Sequence, residues 1–117
     1  MKSDTLRDLA IDALDDLKGL DITTIDVHSI TIITDYMIIC TGRSTRHIKS
    51  LAENVAKKAK EKEVATVRIE GGQESEWVLV DLGDVIVHVM LSATRALYSL
   101  EDLWEPVKEL REHKAKS

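Results

Sequence analysis

Apolar positions along the chain follow two different periods, and the places where one gives way to the other mark the elements. Leu6, Leu9, Ala10, Ala13, Leu14 and Leu17 recur every three or four residues, the spacing of one helix face, with Ser3 as the expected N-cap and Gly19 as the terminator. Residues 23–27 and 35–41 are rich in β-branched and apolar side chains and read as two strands, the second fully buried. After Gly42 the helical period returns through Ile48, Leu51, Ala52, Val55, Ala56 and Ala59. Ser44 is placed to cap this second helix, and Lys57, Lys58, Lys60 and Lys62 gather where its dipole favours cations. Three further strands are expected at 66–70, 77–81 and 84–90, the last two joined by a hairpin around Leu82 and Gly83. Short helices at 93–98 and 101–104 precede Pro106, and a charged tail expected to fray completes the chain.

The strand, helix, strand order around the second helix implies a parallel pair, to which the hairpin adds an antiparallel edge. The expected fold is α/β (α+β): one domain over residues 1–105 with a mixed, about five-stranded sheet flanked by helices, followed by a tail at 106–117. A length of 117 residues suits one domain with a single core.

Composition narrows the function classes. The content is 44% apolar and 32% charged, with one Pro and five Gly, which is ordinary for a compact fold and unlike a disordered chain. The acidic, alternating first twenty residues lack the continuous apolar stretch of a leader, and uninterrupted apolar runs of about four residues fall far short of the ~20 a spanning helix needs. No membrane partner is expected. Cys40 is the only cysteine, so no intrachain disulfide can form, consistent with a reducing compartment; the expected location is cytoplasmic. A net charge of −5 disfavours binding nucleic acid through phosphates. Between Ile69 and Glu105 stand eight acids against one base, Arg95, while the rest of the chain holds 13 acids and 15 bases. The imbalance is therefore one contiguous segment whose complement is a basic partner.

Three places could carry chemistry. The turn at 42–47 offers a helix N-terminus with Arg43, Ser44 and Arg46 as a possible anion contact, but it has neither the lysine of a phosphate loop nor a three-glycine fingerprint. A nucleotidyl-transferring site would also want two carboxylates at i, i+2 on a following strand to hold Mg²⁺. Here Asp81 and Asp84 flank a turn, and Glu74 and Glu76 lie in the loop before a strand. No metal, cofactor or catalytic residue is expected. The second place is Cys40 with His47 or His88 as a thiol nucleophile and its base, but Cys40 sits inside a strand expected to be buried, as an inert core residue, and His88, alternating with Ile86 and Met90, reads as structural.

The third place is a surface. Trp77, Tyr98 and Trp104, three of the four aromatics, share the acidic segment; Trp104 reads as core, and Trp77 and Tyr98 as interface anchors. Leu82, expected at an exposed hairpin tip, has no sheet neighbour to cover it. Burying Trp77, Leu82 and Tyr98 on a partner would contribute about 1.5 to 3 kcal/mol each, with Glu74, Glu76, Asp81 and Asp84 as a steering rim.

The segments DYMIICTGRSTRHIKSLAENV, EGGQESEWVLVDLGDVIVHVM and RALYSLEDLW, in this order and spacing, resemble the ribosomal silencing factor (RsfS or Iojap) family from the first helix to Trp104. That resemblance implies a non-enzymatic protein that binds the large-subunit ribosomal protein L-fourteen and blocks docking of the small subunit, damping translation when nutrients are short. It implies partner contacts at Trp77, Leu82 and Tyr98, a nucleotidyltransferase-like fold without the catalytic acids, and a homodimer in the free state. Arg43 and Thr45 fall at variable positions of the family turn, which leaves any contact with ribosomal RNA open; no sequence-specific nucleic-acid binding is expected. The alternatives are a degenerate nucleotidyltransferase that still binds nucleotide through the 42–47 turn, and a dimeric adaptor that uses its apolar patch for self-association.

Overall fold

A computed structural model describes residues 1–71 and 75–98, the last by its backbone only. Glu74, Trp104, the expected helix at 101–104 and the tail at 106–117 lie outside the described residues. The elements run α1 (Ser3–Asp16), β1 (Leu20–Asp26), β2 (Tyr36–Gly42), α2 (Thr45–Glu61), β3 (Arg68–Glu70), β4 (Trp77–Asp81), β5 (Val85–Leu91) and α3 (Ser92–Tyr98). The strands form one mixed sheet in the order β1-β2-β5-β4-β3.

The single parallel pairing joins β2 to β5, in register from Tyr36 with Val85 to Gly42 with Leu91. The strand order around α2 led instead to the expectation that β2 would pair with the next strand, β3. That strand is three residues long and exposed throughout, so it lacks the two-faced apolar run of a central strand and takes the sheet edge. The sequence VIVHVML of β5 has that run and takes the centre.

Both helices pack on one face of the sheet. Their small residues Ala10, Ala13, Ala52 and Ala59, with Leu6, Leu14, Ile48, Leu51 and Val55, close over Ile38, Cys40, Val78, Val80, Val85, Val87 and Val89. Asn54 Nδ2 donates to the Ala13 carbonyl at 2.7 Å, and Lys58 pairs with Asp16, so polar links tie α2 to α1 as well. On the opposite face Met37, Ile39 and Met90 form a smaller buried cluster with Ile25 and Trp77 against it.

The helix ends depart partly from expectation. Ser44 caps α2 as expected, its side chain accepting from His47 N. Ser3 is instead the first residue of α1, with Lys2 at the N-cap position and no side-chain cap. The left-handed residue that ends α1 is Lys18, at φ 59°, rather than Gly19, whose N–H donates to Leu14 O at 2.9 Å. This six-residue return satisfies a terminal carbonyl whichever residue precedes it.

Leu82 requires the main correction. Its N–H donates to Val85 O at 2.9 Å, which puts Gly83 and Asp84, not Leu82 and Gly83, at the hairpin tip. Gly83 takes φ +82°, a value that strains any other L-residue, and Asp81 Oδ1 accepts its N–H at 2.8 Å. Leu82 therefore continues the alternation of Val78 and Val80 and points into the helix-side core, where it is 2% exposed. It is not a solvent-facing anchor. Leu82→Ala is expected to lower the unfolding free energy by about 2–5 kcal/mol in a denaturant titration; an unchanged midpoint would remove it from the core.

Candidate partner-binding surface

The register divides the expected site between opposite ends of the strands. At one end lie the C-terminal ends of β2 and β5 and the start of β4, so the 42–47 turn, Glu76 and Trp77 share it, and α3 begins there. At the other end lie Asp81, Leu82 and Asp84. The five residues of β4 separate the two by roughly 17 Å. Trp77, Leu82 and Tyr98 therefore do not form one apolar cluster.

Trp77 is half-buried and leans on the Met37, Ile39 and Met90 cluster. Its Nε1–H donates to His88 Nδ1 at 3.0 Å, and the two rings lie 5.7 Å apart at 53°. An Nδ1 that accepts must belong to a neutral imidazole carrying its proton on Nε2. Burial agrees, pushing the His88 pKa from 6.5 down to about 4. The histidine thus fixes how the indole is presented.

The acids differ in what they are free to do. Asp81 is committed within the fold, accepting from Gly83 N and pairing with Arg68 at 3.2 Å. Glu76 is exposed, with Oε2 accepting from Thr94 Oγ1 at 3.4 Å. Asp84 exposes its side chain while its carbonyl accepts from Asp35 N at 2.9 Å and Tyr36 N at 3.1 Å. Glu74 and the side chain of Tyr98 lie outside the described residues.

The glycine turn is largely consumed by its own protein. Arg43 N donates to His47 Nδ1 at 3.0 Å, His47 N donates to Ser44 Oγ at 3.1 Å, and His47 Nε2 donates to Leu17 O at 2.8 Å. Its histidine therefore locks the end of α1 to the start of α2. A Cβ on Gly42 would fall 2.7 Å from Ile48 Cγ1, so glycine serves helix packing here rather than approach to a phosphate. Arg43 and Arg46 project into solvent beside this turn.

Neither histidine serves Cys40 as a base: Cys40 faces the helix-side core and His88 the opposite face, while both ring nitrogens of His47 are engaged by Arg43 N and Leu17 O. Burial raises the Cys40 thiol to about 11, so it stays protonated at neutral pH. Among the described residues no three His, Cys, Asp or Glu side chains gather as a metal site, and no helix is long and apolar enough to cross a membrane.

Sequence reasoning missed Arg95. Its guanidinium donates to Asp21 O at 2.6 Å, Thr41 Oγ1 at 2.9 Å and Thr23 Oγ1 at 2.8 Å, tying α3 across β2 to the bulge in β1. As the single base of the acidic segment it was conspicuous, but only the fold reveals its partners.

A family model described as ribosomal silencing factor during starvation matches residues 1–117. The chain belongs to the ribosomal silencing factor family. It is 48% identical over 104 residues to a protein of Chromobacterium violaceum named ribosomal silencing factor RsfS, covering 89% of this chain and 85% of that one. It is 38% identical to the protein of the same name from Halalkalibacterium halodurans, covering 89% of each chain. A crystal structure from Chromobacterium violaceum superposes with TM-score 0.82 at 48% identity, over 90% of this chain and 88% of that one. The mixed-sheet silencing-factor fold is thereby shown, and the Trp77–His88 bond is part of it in this chain.

Burial of His88 makes stability depend on acid. Because the pKa of His88 is lower folded than unfolded, the unfolded chain takes up a proton between pH 6.5 and about 4, and this uptake favours unfolding. The contribution is complete above pH 6.5 and fades as the pH falls toward 4. Over that window the wild type is expected to lose about 3 kcal/mol more than His88→Gln, measured by denaturant unfolding at each pH. Equal losses would show that His88 is not held neutral.

Proposed function

We propose that this protein silences ribosomes by binding the large-subunit ribosomal protein L-fourteen and occluding the surface on which the small subunit docks. The observation that carries this reading is membership of the silencing-factor family across residues 1–117. The charge pattern supports it: the excess of acid lies at 69–105, and within that segment Glu76 and Asp84 are exposed to meet a basic surface. Trp77, presented by His88, is the aromatic contact at one end of the sheet, and Tyr98 in α3 is a second. Leu82 takes no part, because its side chain is spent in the core.

Such a mechanism is competition by occupancy and needs no catalytic step or cofactor. The bound protein need only outlast encounters with the small subunit. It works in the cytoplasm, and the free protein is a homodimer, which dilution-dependent mass would reveal.

The test pairs co-sedimentation with large subunits and light scattering of subunit joining. Wild-type protein is expected to sediment with large subunits, to retain isolated L-fourteen and to slow joining. The Glu76→Lys, Asp84→Lys pair is expected to bind at least tenfold more weakly at about 0.1 M salt, where charges within ~10 Å still interact, and the gap should narrow as salt rises. Wild-type protein that neither sediments nor retains L-fourteen would end the proposal.

A further inference from the structure

Two isoleucines stand largely in solvent, outside both buried clusters. Ile32 and Ile33, between β1 and β2, are 104% and 77% exposed. Isolated exposed apolar residues are common, but an adjacent pair on a well-held loop is different. Val27, fully buried, receives the N–H groups of Ile30 and Thr31 at 2.9 and 3.0 Å and donates its own to Asp35 O at 2.9 Å. Thr31 Oγ1 accepts from Ile33 N at 3.1 Å, and buried Thr34 donates from Oγ1 to Tyr36 O at 3.3 Å. Asp35 N then bonds Asp84 O at 2.9 Å, which ties the base of the loop to the β4–β5 hairpin. The pair is thus presented beside Asp84, at the end of the sheet where an apolar anchor was expected from Leu82.

We infer that Ile32 and Ile33 form the apolar anchor with which this protein docks on a basic protein surface, namely the partner of the proposed silencing function, on which this inference rests. Charge complementarity selects the occupant. Asp26, Asp35 and Asp84 border the loop on its strand side, while Arg7 and Lys62 lie toward the helices. A second copy docked with the two loops at a two-fold axis would bring two acid-bordered patches together, whereas a basic surface with an apolar recess would satisfy both features. Because internal hydrogen bonds already order the loop, docking loses little conformational entropy there.

The experiment compares wild type, Ile32→Ser with Ile33→Ser, and Ile32→Leu with Ile33→Leu by large-subunit co-sedimentation at fixed salt, with thermal midpoint and sedimentation equilibrium on each free protein. Both double variants should melt within a few degrees of the wild type, since the two side chains bury little area in the fold. The serine pair should bind at least tenfold more weakly and the leucine pair within about threefold of wild type. Serine-pair protein that binds as well as wild type overturns the inference while leaving the silencing reading standing. A wild-type dimer that the serine pair makes monomeric would give the anchor to a second copy and overturn the stated occupant. Failure of wild type itself to sediment would remove the silencing reading and this inference together.

Discussion

The parallel pairing of β2 with β5 is the constraint from which the remaining architecture follows. Parallel neighbours cannot be joined by a tight turn, so the chain between Gly42 and Val85 must travel away and return. It uses that excursion to lay α2 over one face and to build β3 and β4 at the far edge. Both central strands must then be apolar on both faces, and they are: Ile38, Cys40, Val85, Val87 and Val89 face the helices, while Met37, Ile39 and Met90 face away. His88 is the polar exception of β5, tolerated because Trp77 satisfies its acceptor and burial keeps it uncharged. A residue that stabilises the sheet thereby also sets the orientation of the half-buried aromatic.

Much of this was legible in the pattern of the chain. The three helices within the described residues and the five strands were found with ends shifted by a few residues, because periods of 3.6 and 2 survive tertiary packing. Strand order was not legible, since periodicity says which strands are buried and not which are neighbours. The exposure of β3 and the double-sided run of β5 are the features that could have shown it. Leu82 was misplaced for a narrower reason. A hairpin tip was assigned to it from proximity to Gly83, although the alternation Val78, Val80, Leu82 already put it on the core face. Trusting the period over the turn would have avoided the error.

The site was less legible than the fold, because a surface is made by residues distant in sequence. Nothing local marks His47 as the link between α1 and α2 or Arg95 as the clamp on the β1 bulge; their acceptors are backbone carbonyls and threonine hydroxyls 30 to 74 positions away. Ile32 and Ile33 carried a local signal, two large aliphatics in a loop, but that pattern is the same whether the pair is covered or bare. Only the hydrogen bonds around Val27 and Asp84 show a loop that holds them outward.

Counting acids also overstates what electrostatics can do here. Asp81 spends its carboxylate on Arg68 and on the turn at Gly83, so it stabilises the hairpin and offers little to a partner. Glu76 and Asp84 remain, at opposite ends of β4, and charges this far apart act on a basic surface as a weak orienting field rather than as a clamp. A field of that kind raises the rate of encounter and sets the facing, while residence time has to come from buried apolar area. Under the proposed function the labour would divide accordingly: exposed acids at both ends of β4 would orient the molecule, and the apolar side chains beside each of them, Trp77 near Glu76 and the isoleucine pair near Asp84, would retain it.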